Sequence, residues 1–290
     1  MLGNVLAFDD AALPRMTEDR GLLFDGVAEE YDRVRSDYPA AIVDAACEIA
    51  ALGPGSPVLE IGCGTGKLTE TLVGRSLRLE AVDPGARMID VARRRVGTAA
   101  DVTFRIGRFE DVELPTDAFA AVFSATAFHW VDPAVGWAKV AAVLRPDGVI
   151  ALLTHVGFSP LDEQIHAVWT AVRPESLGWV PRDRETFFDG IEARLGDVSE
   201  VWAWMCQQTA LARPEAAELF TDVRLTTAAS DDEETAEHLV AATRTTSMYL
   251  GLGARDRERL EQGLTAVVDE AGGSLPLTLY AVLVTARVRG

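Results

Sequence analysis

The sequence predicts an α/β fold in which parallel strands alternate with helices. Between residues 40 and 155, short apolar runs typical of buried strands alternate with amphipathic runs of helical periodicity. Strands that alternate with helices of about ten to fifteen residues indicate βαβ units, and therefore a parallel sheet. Two later strand-like runs enclose a helical stretch, which predicts an antiparallel pair at one edge of that sheet.

The predicted elements of the alternating region follow one another in a regular order. Helices are expected at 40–52, at 67–75, at 86–96 and up to Leu144. Strands are expected at 57–62, 77–83, 101–107, 118–126 and 149–155. The first helix stops at a Gly-Pro-Gly turn, and the first strand enters a glycine-rich turn.

The rhythm changes after residue 157, where an aromatic-rich helical stretch replaces the next βα unit. The chain is therefore divided into an N-terminal lid segment at 1–39, a binding core at 40–157, a helical lid over the substrate at 158–215, and a completion of the core sheet at 216–290. In the last part, strands are expected at 219–228 and 277–288, with a helical region at 233–271 between them. The acidic run at 231–234 is expected to lie at the N-terminus of that helical region.

Composition narrows the classes of partner. A formal net charge of -18 repels phosphate backbones and anionic lipid, so neither nucleic acid nor a membrane is expected as a partner. The three cysteines lie far apart without a CxxC or Cys/His spacing, which predicts no disulfide framework and no metal site. With no apolar run of membrane-spanning length and no signal-peptide pattern, we expect a soluble, cytoplasmic protein.

The turn after the first strand points to a cationic nucleoside ligand. Gly62, Gly64 and Gly66 allow the backbone to turn sharply and to approach a ligand closely. Their spacing departs from the G-x-G-x-x-G of dinucleotide sites. The carboxylate of Glu60 would repel a pyrophosphate but would favour an ammonium group, and Asp83 at the end of the second strand can accept ribose hydroxyls. Adenosine combined with an ammonium describes S-adenosylmethionine.

Six segments together resemble class I S-adenosylmethionine-dependent methyltransferases of the type 11/12 group, and trans-aconitate-methyltransferase-like proteins in particular. They are LFDGVAEEYDRVRSDYP at 23–39, VLEIGCGTGKLT at 58–69, LEAVDPGARMIDVAR at 79–93, RFEDVELP at 108–115, SATAFHWVDP at 124–133 and VLRPDGVIAL at 143–152. The resemblance implies a Rossmann-like fold with a seven-stranded mixed sheet of order 3-2-1-4-5-7-6, helices on both faces and a helical lid.

The resemblance also implies a set of cofactor-binding residues. The methionine end of the cofactor would be lined by Glu60, Gly62, Cys63, Gly64, Gly66, Ala125 and Trp130. The ribose would be held by Asp83, and the adenine would lie near Pro84, Met88, Phe109 and Glu110. One departure is Arg108, which stands where the family usually has an acidic residue in the loop that contacts the adenine amino group.

Two residue groups have both a functional and a plain interpretation. The segment around Tyr31 and Arg35 is either an amphipathic surface helix or a lid whose tyrosine and arginine reach the methionine carboxylate. His129, after the fourth strand, is either a general base or a wall of the cofactor pocket, since proximity alone can drive methyl transfer.

The implied reaction transfers a methyl group to an oxygen, nitrogen or carbon nucleophile of a small molecule and releases S-adenosylhomocysteine. A monomer or homodimer is expected. Two alternatives stay open: a protein of the same fold with a cyclase-like or binding role, and an NAD-dependent oxidoreductase.

Overall fold

The computed structural model describes residues 22–98, 101–173 and 180–290. Residues 1–21 of the expected N-terminal lid segment and 174–179 of the expected insertion lie outside the described residues. The strands are β1 Pro57–Ile61, β2 Arg78–Asp83, β3 Val102–Ile106, β4 Phe119–Ala125, β5 Leu144–Phe158, β6 Phe220–Glu234 and β7 Leu275–Val288. None of the helices in the described part combines the length and apolar character needed to cross a membrane.

Twelve α-helices are present among the described residues. They are α1 Ala28–Val34, α2 Ala40–Ile49, α3 Lys67–Val73, α4 Ala86–Val96, α5 Pro133–Val143, α6 Asp162–Val172, α7 Arg184–Glu192, α8 Val198–Cys206, α9 Pro214–Leu219, α10 Ala236–Arg244, α11 Ser247–Leu250 and α12 Ala254–Glu270. Short 3₁₀ turns lie at Asp25–Val27, Phe128–Trp130 and Thr209–Leu211.

The seven strands form one mixed sheet in the order β3-β2-β1-β4-β5-β7-β6. The first five strands along the sheet are parallel, and β7 runs antiparallel between β5 and β6. This confirms the fold class and strand order expected from the resemblance. Because β1 and β4 are neighbours although β2 and β3 lie between them in sequence, the carboxyl ends of β1 and β4 flank the point where the strand order reverses, which is where such sheets bind ligands.

Helices cover both faces of the sheet because the central strands are apolar on both sides. One core cluster joins the sheet to α5, α7, α8 and α9, with Trp137, Phe187, Trp202 and Phe220 among its buried side chains. A second cluster packs α2, α3 and α4 on the sheet. A third joins α6, α10, α11 and α12. Within the expected insertion, α8 and α9 therefore belong to the same core as β4 and β5, whereas α6 packs elsewhere.

The edge strand β6 is longer than the sequence predicts. Its pairing with β7 continues from Phe220 opposite Val288 to Glu234 opposite Leu275, so the acidic run at 231–234 lies in a strand. The expectation that this run begins a helix is wrong. Helix α10 begins after Thr235, whose hydroxyl accepts the backbone N–H of His238. The helical region predicted at 233–271 is divided into α10, α11 and α12.

Candidate cofactor and acceptor site

The three glycines of the turn after β1 serve two different purposes. All three have positive φ, at 70° for Gly62, 52° for Gly64 and 85° for Gly66. A Cβ on Gly62 would lie 2.3 Å from the Cβ of Ala127, and one on Gly66 would lie 2.9 Å from Ala92, so packing excludes a side chain at both. A Cβ on Gly64 would meet nothing within 4 Å. Gly64 therefore presents bare backbone to open space, as expected where a ligand approaches.

Two buried carboxyl groups flank this turn. Glu60, at the carboxyl end of β1, is 1% exposed and accepts a 2.7 Å hydrogen bond from the hydroxyl of Thr69; burial raises its pKa to about 8. Asp83, the last residue of β2, accepts the backbone N–H of Gly64 at 2.9 Å and that of Gly85 at 2.7 Å. Burial raises the pKa of Asp83 to about 6. Each of its oxygens keeps a lone pair that can accept a further donor.

Cys63 lies within the turn and is a packing residue. Its side chain is buried in the cluster under α3, and its backbone N–H donates to the carbonyl of Val82 at 3.2 Å. Burial raises the pKa of its thiol well above the ordinary value, so the group is neutral at physiological pH. What Cys63 can offer a ligand is backbone.

The segment before α2 is docked on the core. Asp25 accepts the backbone N–H groups of Arg87 at 2.7 Å and Met88 at 3.2 Å, so its carboxylate caps the N-terminus of α4. Asp32 of α1 pairs with Arg95 at 2.7 Å. Helix α1 is thus held against α4. This packing fits both the amphipathic surface helix and the lid, so the action of the segment as a lid stays a prediction.

Arg35 is held beside the candidate site without a carboxylate partner. Its Nε donates to Thr245 Oγ1 at 3.0 Å, its Nη2 donates to the Thr245 carbonyl at 3.2 Å, and its guanidinium lies 5.3 Å from the centre of the Tyr31 ring. Among the described residues, no acidic group lies within ion-pair distance of this guanidinium. The charge of Arg35 is available to a ligand carboxylate.

The residues expected near the adenine lie in two places. Met88 is buried with Ala28 and Val91 under the N-terminal segment, and Pro84 precedes the start of α4. Phe109 is buried in the main core cluster, with the ammonium of Lys139 5.1 Å from its ring centre. The contact of these residues with adenine remains a prediction.

Arg108 has a defined partner in the adenine loop. It donates to Glu110 Oε1 at 2.8 Å, and the backbone N–H of Asp132 donates to the same oxygen at 2.9 Å. This pair fixes the loop to the start of α5. Glu110, expected near the adenine, is therefore already engaged through one of its carboxylate oxygens.

A polar cluster lies where β4 ends beside β5, and the sequence analysis did not single out two of its members, Tyr38 and Thr126. Thr126, which follows Ala125 and has φ of 51°, shares a 2.7 Å hydrogen bond with the hydroxyl of Tyr38. The Tyr38 ring stacks on His155 of β5 with 4.4 Å between ring centres. Burial lowers the pKa of His155 to about 4. The only signal in the sequence was that Thr126 and His155 end neighbouring strands.

His129 lies in the 3₁₀ turn after β4. Its side chain is 9% exposed, and burial lowers its pKa to about 4, so the imidazole is neutral at physiological pH. Its Nδ1 is enclosed without a hydrogen-bond partner in the described part of the chain. The next residue, Trp130, lies edge-on to Phe24 with 5.6 Å between ring centres, which ties this turn to the N-terminal segment.

In residues 22–98, 101–173 and 180–290, no group of three or more His, Cys, Asp or Glu side chains is arranged to hold a metal ion.

Comparison with known proteins agrees with the sheet topology. Residues 58–148 match a family model described as a methyltransferase domain. An uncharacterized methyltransferase of Mycobacterium tuberculosis is 38% identical over 162 residues, 56% of this chain and 57% of that protein. A malonyl-[acyl-carrier protein] O-methyltransferase of Serratia marcescens is 33% identical over 135 residues, 44% of this chain and 52% of that protein. The chain spans little more than half the length of these curated relatives.

A solved structure extends the likeness to most of the fold. A candidate type II methyltransferase from Anaeromyxobacter dehalogenans matches with a TM-score of 0.53 and 22% identity, covering 87% of this chain and 97% of that one. None of these comparisons tests the trans-aconitate-like subgroup. The strand order and the match over 58–148 together give this chain the Rossmann-like class I methyltransferase fold, with a central region similar to methyltransferase domains.

Proposed function

We propose that the chain is an S-adenosylmethionine-dependent methyltransferase that acts on a small molecule. The observation that carries the proposal is the bare backbone of Gly64, which faces open space between the buried carboxyl groups of Glu60 and Asp83. Packing accounts for Gly62 and Gly66, but nothing in the described protein fills the space beside Gly64. A ligand that carries a positive charge and a sugar suits this arrangement.

The surrounding residues fit the parts of S-adenosylmethionine. Asp83 has lone pairs left for the ribose hydroxyls after accepting two backbone N–H groups. Arg35 has no carboxylate partner in the described ranges and suits the methionine carboxylate. Once Glu60 has released its proton, its carboxylate would compensate the charge of the methionine ammonium. The adenine would lie near Pro84 and Met88.

S-adenosylmethionine supplies, when bound, an activated methyl group on a sulfonium, which a nucleophilic oxygen, nitrogen or carbon takes by in-line displacement to leave S-adenosylhomocysteine. The protein has to align the acceptor and exclude water. His129 contributes as a neutral group. Its pKa of about 4 lies roughly 3 units below neutral pH, so accepting a proton there costs about 4 kcal/mol. This favours the wall interpretation of His129 over the general base.

The acceptor is proposed to be a small molecule because the strongly acidic chain disfavours polyanions. The polar cluster of Tyr38, Thr126 and His155 lies at the strand ends beside the turn, so it would meet the acceptor or the donor's amino-acid end. The trans-aconitate-like subgroup, a cytoplasmic location and a monomeric or homodimeric state belong to the same proposal.

Calorimetric titration with S-adenosylhomocysteine and, separately, with NADH tests the proposal. We expect a measurable heat of binding with S-adenosylhomocysteine and none with NADH. Asp83→Ala should weaken binding roughly tenfold or more, since a charge-assisted hydrogen bond contributes about 1.5–3 kcal/mol. Asp90→Ala, which removes an exposed carboxylate from α4, is the matched control and should bind as the wild type does. Equal binding by wild type and Asp83→Ala, or binding of NADH alone, contradicts the proposal.

A further inference from the structure

Two buried side chains beside the candidate site each have a polar ring nitrogen without a partner. His129 Nδ1 and Trp202 Nε1 are enclosed and have no hydrogen-bond partner within the described ranges. His129 is 9% exposed and Trp202 is fully buried. Buried polar groups in proteins are nearly always hydrogen-bonded, so two such atoms in one core require an explanation.

The two rings are neighbours, although they come from distant parts of the chain. Their centres are 6.4 Å apart and their planes are inclined by 37°. His129 follows β4 in the turn whose Ala127 packs against Gly62, whereas Trp202 lies on α8 within the expected insertion. At this separation of the ring centres, ring nitrogens that point toward each other can come within hydrogen-bond distance.

The two nitrogens can form a hydrogen bond in only one of the two tautomers of the neutral imidazole. An indole nitrogen can only donate. The neutral imidazole carries its single proton on Nδ1 or on Nε2. If the proton were on Nδ1, two N–H donors would face each other and both would stay unsatisfied. If it is on Nε2, Nδ1 accepts from Trp202 and both groups are satisfied.

We propose that the Trp202 indole N–H donates to His129 Nδ1 and so fixes the imidazole proton on Nε2. Trp202 is then a positioning residue, which acts on the candidate site through His129. Because Nδ1 is the enclosed nitrogen, Nε2–H is the ring group able to meet a ligand, and it meets that ligand as a hydrogen-bond donor. His129 would donate a hydrogen bond to a lone pair of the methyl acceptor rather than remove its proton. This last step rests on the proposed function, whereas the tautomer does not.

The tautomer can be measured directly in the full-length, ligand-free protein. With ¹⁵N-labelled histidine, two-dimensional NMR distinguishes a protonated ring nitrogen from an unprotonated one. The chain has four histidines, and the His129 signals are assigned by their loss in His129→Gln. At neutral pH we expect a protonated Nε2 and an unprotonated, hydrogen-bonded Nδ1. A His129 protonated on Nδ1 overturns the proposal, and this result needs no variant of Trp202.

A pair of tryptophan variants tests the role of Trp202. Trp202→Phe keeps an aromatic ring but removes the donor, so the His129 signals should move toward a mixture of both tautomers. Trp169→Phe is the matched control, because Trp169 is also fully buried with an unpartnered Nε1 but belongs to the core of α6 and α12. His129 signals that stay unchanged in a folded Trp202→Phe protein overturn the proposal. Titration with S-adenosylhomocysteine tests the proposed function separately, so the two failures are distinguishable.

Discussion

The proton on Glu60 is expected to stabilise the folded protein at pH 6.5 but not at pH 8.5. Replacement of Glu60 by glutamine should remove this pH dependence. Burial raises the pKa of Glu60 to about 8 from its ordinary value of 4.5. Between these two values the folded protein holds a proton that the unfolded chain has released. The stabilisation from this proton is therefore complete below pH 4.5 and is lost as the pH rises through 8.

The size of the loss follows from the shift in pKa. One pKa unit corresponds to about 1.4 kcal/mol, so the proton on Glu60 contributes about 2 kcal/mol at pH 6.5 and almost nothing at pH 8.5. Asp83, with a pKa of about 6, loses its proton below this interval. Burial lowers the pKa of His129 and His155 from 6.5 to about 4, so their unfolded imidazoles lose protons as the pH rises above 6.5. Each therefore adds about 0.4 kcal/mol of stability between pH 6.5 and 8.5, equally in the wild type and in Glu60→Gln. The ordinary pKa of a cysteine thiol, 9.0, lies above the interval.

Urea unfolding followed by tryptophan fluorescence at about pH 6.5, 7.5 and 8.5 measures the effect. Relative to Glu60→Gln, the wild type should lose about 2 kcal/mol of unfolding free energy across the interval, because the contribution of the histidines is the same in both proteins. Glutamine preserves the hydrogen bond because its oxygen can accept the Thr69 hydroxyl. Glu48→Gln makes the same substitution at an exposed position of α2 and should show the pH dependence of the wild type. Equal slopes in wild type and Glu60→Gln would refute a protonated Glu60.

Three further predictions concern the turn, the N-terminal segment and the ligand. Gly64→Ala should lose about 1 kcal/mol of stability for its positive φ but weaken S-adenosylhomocysteine binding roughly tenfold, since its methyl enters the ligand space. In Gly62→Ala the new methyl collides with Ala127, so this variant should lose about 2–3 kcal/mol in urea unfolding. A larger loss of stability in Gly64→Ala than in Gly62→Ala would contradict the assignment of Gly62 to packing and Gly64 to ligand approach. Asp25→Ala should lose about 1 kcal/mol and speed hydrogen exchange at 22–34; unchanged exchange would show that the cap does not hold this segment. At pH 7, S-adenosylhomocysteine binding should release about one proton, seen as a buffer-dependent binding enthalpy that Glu60→Gln lacks; a buffer-independent wild-type enthalpy would place the ammonium elsewhere.

The central fold could be predicted from the sequence because each local pattern agrees with its tertiary setting. Strands β1 and β4 are buried on both faces, as their continuous apolar runs predict. Strand β6 could not be predicted from its local sequence pattern. Its acidic residues favour neither strand nor core locally, but thirteen paired positions with β7 hold the segment extended at the sheet edge. Pairing with a partner more than forty residues away carries no local signal.

The positions of two carboxyl groups around the turn could be predicted from the sequence, whereas their hydrogen-bond partners could not. The spacing of Glu60 and Asp83 around the glycine turn indicated two carboxyl groups near one ligand. Burial keeps a proton on Glu60, while the hydrogen bond from the Thr69 hydroxyl acts against that proton. The contact between Tyr38 and Thr126 likewise needs the N-terminal segment to cross the end of β4. Such contacts arise from tertiary packing and cannot be inferred from spacing along the chain.

The two buried carboxyl groups also explain how one site can distinguish between nucleotides. The pKa of each group is raised because burial disfavours its charged form. A ligand that brings an ammonium or hydroxyl donors into the space offsets that cost and releases the proton from Glu60. A pyrophosphate would instead bring two negative charges to the same carboxyl groups and keep Glu60 protonated. The two carboxyl groups can therefore select a cationic nucleoside without a specific contact from the adenine loop. In that loop, Arg108 already donates a hydrogen bond to Glu110. The same reasoning predicts that Glu60→Gln weakens the binding of S-adenosylhomocysteine, and an unchanged affinity would place the source of selectivity elsewhere.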